Sequence, residues 1–116
     1  MIDGEHIGST FVAQCDEIIP VSYSETETMA YPYLAYEQTV EVLRDKDGAY
    51  GFRSSLAAHV VSDDFDDADD KAAAVADAVV SGMNDGEFRA SLTSFSKDRQ
   101  GGVWTITLNF TIEQIL

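Results

Sequence analysis

The sequence has few cations. Only 7 of its 116 residues are Lys or Arg, against 21 Asp and Glu, so the formal net charge is −14. The first 43 residues contain no Lys or Arg. Proteins bind nucleic acids and anionic lipid headgroups mainly through cations. The deficit therefore predicts no direct nucleic-acid binding and no membrane binding, and it favours partners with basic or neutral surfaces.

Cysteine and long hydrophobic runs are also scarce. Cys15 is the single cysteine, so no internal disulfide framework is possible and nothing points to an oxidising compartment. The start, MIDGEHIGST, lacks the basic segment and apolar run of a signal peptide. The most apolar helical stretch, residues 72–80, is short and interrupted by Asp77, so we expect no membrane span. The protein is expected to act in the cytoplasm or in something assembled there.

Hydrophobic residues make up 45% of the chain, which is typical of a globular protein, and the length fits a single domain over residues 1–116. Apolar periodicity predicts an α+β fold in the order α-β-β-α-β-β. The predicted elements are a helix over about 5–19, a loop over 20–30, a hairpin over 31–62, a helix over about 66–83 and a hairpin over 88–114, whose first strand covers about 89–96.

The last strand gives the clearest pattern. Apolar and polar residues alternate from Trp104 to Ile112, which indicates a strand with one buried face. The second helix carries small apolar residues at helical spacing, from Ala68 to Val80, and this pattern favours close packing on a sheet. We therefore predict a mainly antiparallel four-stranded sheet with both helices packed on one face.

An aspartate run, SDDFDDADD, occupies residues 62–70 just before the second helix. Paired acids without a Gly in the run do not match a calcium-binding loop, whereas acidic side chains favour the N-terminus of a helix. Ser62, Asp63 and Asp64 are the candidates for the helix cap. Capping does not need six carboxylates, so we predict that the surplus faces solvent, a partner or a channel; the candidate residues are Asp63, Asp64, Asp66, Asp67, Asp69 and Asp70.

No catalytic motif is present. His6, Cys15 and His59 lack the close spacing of zinc ligands, and no nucleotide-binding or nucleophile-elbow motif occurs. A Cys-His pair could form only through the fold. We expect no enzymatic activity, no metal and no cofactor.

Aromatic residues are concentrated in the first hairpin. They are predicted to form a cluster across the two strands, which ordinary cross-strand packing would explain; its members are Tyr31, Tyr33, Tyr36, Tyr50 and Phe52. Tyr31 and Tyr33 fall on the face opposite Tyr36, and they are a second candidate interface because exposed aromatic side chains suit protein contacts.

Three stretches in this order resemble the small tail-completion, or tail-terminator, proteins of long-tailed bacteriophages and prophages. They are YPYLAY at residues 31–36, HVVSD at 59–63 followed by the acidic linker and KAAAVADAV at 71–79, and DRQGGVW at 98–104. The resemblance covers roughly residues 31–112. The first helix is shorter, and the aspartate run denser, than the family pattern.

The resemblance implies a structural protein of the virion tail or neck, made in the host bacterial cytoplasm. Such proteins cap the tail tube, stop its polymerisation and provide the surface for head joining. They act as homo-oligomeric rings, typically hexamers, so the implied partners are the tail tube protein and the head connector proteins. DNA would pass through the ring, and an acidic wall that includes the aspartate run would let it slide without binding.

Three other functions fit the sequence. The chain could be a different neck or head-closure component, an acidic decoy that imitates DNA, or a small ligand-binding α+β domain. A decoy needs carboxylates spread over one face, and a ligand-binding domain needs a cleft with convergent polar groups.

Overall fold

A computed structural model of the protein describes residues 5–23 and 30–116. The described elements are α1 (Glu5–Cys15), β1 (Val21–Tyr23), β2 (Tyr33–Asp45), β3 (Gly48–Ser62), α2 (Phe65–Gly82), β4 (Phe88–Gln100) and β5 (Val103–Ile115). None of the described helices is long and apolar enough to cross a membrane.

The strands form one five-stranded sheet in the order β1-β2-β3-β5-β4. Every pair is antiparallel except β1 with β2, which is parallel. The α+β class and its mainly antiparallel sheet are thus confirmed, but the predicted count of four strands is wrong. β1 lies within the segment predicted as a loop; its three residues pair with residues 34–36 of β2. Residues 24–29 of that predicted loop lie outside the described residues.

The first helix also ends earlier than predicted, at Cys15 instead of near Ile19. The amides of Ile18 and Ile19 both donate to the Cys15 carbonyl, at 2.9 and 3.1 Å. The bond from Ile18 spans only three residues, so it tightens the last turn and lets the chain fold back toward β1. Ile19 is still buried, which explains why the apolar pattern continues beyond the helix.

Both helices pack on one face of the sheet, as predicted. The core between them holds the inward residues of β2, β3, β5 and the start of β4, together with the apolar stripes of the helices. Phe11 of α1 lies 5.2 Å from Tyr36 and 6.1 Å from Phe110, measured between ring centroids. Ala68 and Ala72 are buried at the sheet-facing side of α2, where their small size allows close approach. Burial of each large side chain here contributes about 1.5–3 kcal/mol.

The predicted aromatic cluster across the first hairpin does not form as one unit: Tyr31 and Tyr33 do stack on each other, but Tyr36 and Phe52 lie far apart. Tyr36 pairs with Ala58, whereas Phe52 pairs with Val42. Tyr36 and Val42 are six residues apart along β2, a distance of roughly 20 Å at the rise of a strand. The antiparallel register fixes which residues lie opposite each other, and it places Phe52 near the turn end of the hairpin and Tyr36 near the other end.

Candidate functional site

The aspartate run begins α2, and Asp64 is its N-cap. Asp64 has extended backbone angles (φ −124°, ψ 122°), and its side chain accepts a hydrogen bond from the Asp66 amide at 3.2 Å. The Ser62 hydroxyl accepts from the Asp64 amide at 3.2 Å and donates to Asp67 Oδ2 at 3.1 Å. Ser62 and two of the carboxylates therefore fix the start of the helix.

The other aspartates divide into one ion-paired residue and three surplus ones. Asp69 Oδ1 lies 2.7 Å from Lys97 Nζ on β4. Within the described part of the chain, the exposed side chains of Asp63, Asp66 and Asp70 have no hydrogen bond or ion pair. No group of three or more metal-ligating side chains within residues 5–23 and 30–116 is placed to hold an ion.

A cationic end of β4 lies beside this acidic helix start. Lys97 Nζ lies 5.3 Å from the centroid of the Phe65 ring, and Arg99 Cζ lies 5.7 Å from the centroid of Trp104. The Phe65 and Trp104 rings meet edge to face at 4.7 Å. Cation–π contacts of this kind hold Lys97 and Arg99 against the two rings, and Lys97 also pairs with Asp69. The sequence did not predict the arrangement because Phe65 and Lys97 are far apart along the chain and meet only when α2 packs on the sheet.

The outer half of β4 is a long exposed edge. Residues 91–100 are all exposed, and they include Leu92 and Phe95. Between this edge and α2 lies a groove of about 220 Å³, lined mainly by apolar side chains. Its two charged lining residues, Asp69 and Lys97, pair with each other. The groove is smaller than the roughly 300–1,000 Å³ of typical ligand pockets and lacks converging polar groups, so it does not favour the ligand-binding alternative.

The first three residues of the same strand, 88–90, are covered by the preceding loop. Asn84 Oδ1 accepts from the Ala90 amide at 3.3 Å, and Asn84 Nδ2 donates to the Ala90 carbonyl at 2.9 Å and to the Val80 carbonyl. Asp85 Oδ1 accepts from the amides of Phe88 and Glu87 at 3.0 and 2.9 Å. Those backbone hydrogen bonds lower the pKa of Asp85.

The face of the sheet opposite the helices is mainly hydroxylated. Thr105, Thr107, Asn109 and Thr111 of β5 point to it, and a row of alternating charge crosses it. In that row Arg53 Nη1 lies 3.5 Å from Glu41 Oε1, and Arg53 Nη2 lies 3.8 Å from Glu113 Oε2.

Tyr31 and Tyr33 differ in exposure, although both were predicted to be available to a partner. Tyr31 is 47% exposed, whereas Tyr33 is only 6% exposed. The two rings stack with their centroids 5.9 Å apart. Tyr33 is buried because Val61 and Val103 form a small second cluster with it on the helix-free face. The prediction of exposure is wrong for Tyr33, and Tyr31 alone offers its ring to solvent.

Cys15 and the two histidines are held by ordinary packing and polar contacts. Cys15 is fully buried in the core, and burial raises the pKa of its thiol to about 12, with a smaller contribution from Asp16. His6 Nε2 lies 2.8 Å from Glu87, and His59 Nδ1 lies 2.9 Å from the Thr107 hydroxyl on the helix-free face. A thiol that stays protonated is a poor nucleophile.

The fold is similar to that of a solved chain described as "Virion of native gene transfer agent (GTA) particle". The two chains are 22% identical, with a TM-score of 0.65, and the likeness covers 91% of this chain and 84% of that chain. No protein-family model and no curated protein sequence matches. The comparison establishes a shared fold over nearly the whole length of both chains.

Proposed function

We propose that this protein is a structural component of a phage-like particle, with no catalytic role. The observation that carries the proposal is the fold shared with a chain of a gene transfer agent virion over 91% of this sequence. The family resemblance of residues 31–36, 59–79 and 98–104 independently supports the same setting. Within that setting, we propose the role of tail terminator: the protein caps the tail tube, stops its growth and provides the surface for head joining.

The architecture suits a ring. Head-to-tail contacts between identical subunits use two different surfaces, and they close into a ring when the rotation between neighbours fits. The helices cover one face of this sheet, while the β4 edge is exposed over residues 91–100. A hexamer that contacts the tube protein on one side and connector proteins on the other is the assembly that we propose.

The negative charge of the protein suits the wall of a channel through which DNA passes. Each copy carries −14, and Asp63, Asp66 and Asp70 are exposed at one end of α2. We place these three on the channel wall, where like charge keeps DNA from sticking. Replacing all three with Lys should slow DNA delivery while particles still assemble. Normal delivery combined with failed ring formation or docking would instead place them at a protein interface.

Deletion of the gene tests the terminator role. Without a terminator nothing stops tube polymerisation, so electron microscopy of the lysate should show tails of widely varying and excessive length, unattached to heads. A plasmid copy should restore tails of one length. Tails of normal length and normal head attachment in the deletion strain would contradict the proposal. Normal, uniform tails without attached heads would favour the alternative of a neck or head-closure component.

A further inference from the structure

The sheet carries one exposed aromatic side chain at each of its two edges. Tyr23 on β1 and Phe95 on β4 are each 61% exposed. The strand register places them in one row across the sheet, Tyr23–Tyr36–Ala58–Leu108–Phe95. Residues paired across neighbouring strands share a face, and Tyr36 and Leu108 belong to the helix-side core. Tyr23 and Phe95 therefore lie at the same level and on the same side of the sheet.

The groove beside Phe95 is suited to hold one aromatic side chain. The groove beside Phe95 holds about 220 Å³, and its wall is formed by Leu92 and the small α2 residues Ala72, Ala73 and Ala76. A volume below that of a ligand pocket suits the insertion of one large side chain. Among the described residues, the Tyr23 ring contacts Tyr36 edge to face, with the ring centroids 5.2 Å apart, and 61% of Tyr23 is exposed to such a groove on a neighbour.

The strands β4 and β2, taken by themselves, carry opposite net charges. Residues 88–100 of β4 hold three cations and one carboxylate, a net charge of +2. Residues 33–45 of β2 hold three carboxylates and one cation, a net charge of −2. Two copies at −14 repel each other as whole molecules, so a stable contact between them needs local charges of opposite sign. Lys97 is already paired with Asp69 within its own copy, so Arg89 of β4 and Glu41 of β2 are the charges that can provide the match.

The row of alternating charges on the helix-free face has a carboxylate at its β2 end and a cation at its β4 end. Glu41, Arg53 and Glu113 are followed in register by Arg89 on β4. Among the described residues Arg89 has no ion-pair partner, and Glu41 stands at the β2 end of the row. A second copy placed alongside would continue the alternation, with Arg89 of one copy near Glu41 of the next.

Strand direction is compatible with this contact. Since β2–β3, β3–β5 and β5–β4 are all antiparallel, β2 and β4 run in opposite directions. Placing β4 beside the β2 side of an identically oriented neighbour thus keeps the antiparallel order. The contact uses two different surfaces, as a closed ring requires.

We propose that the β4 side of one copy docks against the β1–β2 side of a second copy, with Tyr23 seated in the groove between α2 and β4. Glu41 of the one copy is then level with Arg89 of the other, on the helix-free face. This assignment rests on the proposed ring and specifies its subunit interface.

Cysteine cross-linking tests the interface. In the variant Tyr23→Cys/Phe95→Cys, the two cysteines of one copy are four strand spacings apart, roughly 19 Å. A disulfide needs Cα atoms within about 7 Å, so the bond can form only between copies. Oxidation should give a ladder of covalent multimers on a denaturing gel, both at high protein concentration and in purified particles. Cys15 is buried and does not interfere.

The matched control moves one cysteine to the other face. In Tyr23→Cys/Ser96→Cys the second site lies one residue along the same exposed edge, so its side chain points to the opposite side of the sheet. This control should give at least tenfold less ladder. Equal cross-linking of both pairs, or no ladder in solution and in particles, would overturn the proposed interface.

A charge swap provides a second arm that leaves the aromatic contact untouched. Arg89→Glu or Glu41→Arg alone should weaken association roughly two- to fivefold, and the double variant should recover it. Failure of the double variant to recover association would argue against the pairing.

The two proposals fail separately. If the Tyr23→Cys/Phe95→Cys variant gives covalent multimers but deletion of the gene leaves tail length normal, the interface is supported and the terminator role is refuted. Over-long tails on deletion, with no ladder in complemented particles, would support the terminator role and refute the interface.

Discussion

The two faces of the sheet are built from the same strands but differ in what they bury. On β5, Ile106, Leu108 and Phe110 point to the helices and are at most 4% exposed, while their sequence neighbours Thr107 and Thr111 are half-buried and point to the helix-free face. The covered face holds one large apolar core, whereas the open face holds only the small cluster around Tyr33. Stability therefore resides on one face, and the open face and the edges are left for contacts with other molecules.

The largest expected difference between the two faces is in the free energy of unfolding of two neighbouring variants on β5. Phe110→Ala should lower the free energy of unfolding by about 3–5 kcal/mol because it leaves a cavity beside Phe11. Thr111→Ala, one residue away on the open face, should change it by less than about 0.5 kcal/mol. Urea unfolding followed by circular dichroism measures both. Similar losses for the two variants would mean that the faces do not differ in this way.

A second pair tests whether the small cluster on the open face contributes to stability. Tyr33→Ala should cost roughly 2 kcal/mol, since the ring is buried against Val61 and Val103. Tyr31→Ala removes a ring that is 47% exposed and should cost clearly less. The same unfolding experiment decides between them, and an equal effect would show that the stacked pair acts as one unit.

The aspartate run provides a smaller contrast between local and surplus carboxylates. Asp64→Ala should cost about 1 kcal/mol because it removes the cap of α2. Asp63→Ala, its exposed neighbour, should leave stability nearly unchanged or raise it slightly by relieving repulsion. Thermal unfolding at low salt is the measurement. A greater loss for Asp63 than for Asp64 would contradict the assigned cap.

The smallest expected effect concerns the thiol of Cys15, which lies on the covered face. Because burial raises the pKa of Cys15 to about 12 from 9.0, the protonated thiol favours the folded state below pH 9, and this contribution is lost as the pH rises from 9 toward 12. At pH 8 a thiol reagent should label the native protein far more slowly than the urea-unfolded protein. Rapid labelling of the native state would show that α1 opens easily.

Local patterns in the sequence were enough to predict the helices, both hairpins and the covered face. The alternation in β5 and the small apolar stripe of α2 are such patterns, and so is the acidic helix start. β1 was missed because three residues are too few to show an alternating pattern. The end of β4 was missed because Lys97, Asp98 and Arg99 conceal its alternation.

The remaining features depend on residues that are distant in sequence. Tyr33 is buried by Val103, seventy positions along the chain, and no local pattern reports that contact. The groove likewise forms only when α2 packs beside β4. Tyr23 and Phe95 are aligned only because four successive strand pairings place them in one row. Patterns along the chain indicate which side of a strand is buried, but only the assembled sheet shows which residues meet at its edges.

Asn84 has a consequence for pairing between edge strands of different molecules. At high protein concentration, a fully bare edge strand would recruit other strands without limit and grow into insoluble ribbons. By filling the hydrogen-bonding positions of Ala90 with its own side chain, Asn84 shortens the length of β4 that can do this. Residues 91–100 then remain as the part of β4 that is open to a neighbouring strand, and in the proposed ring the next copy covers them.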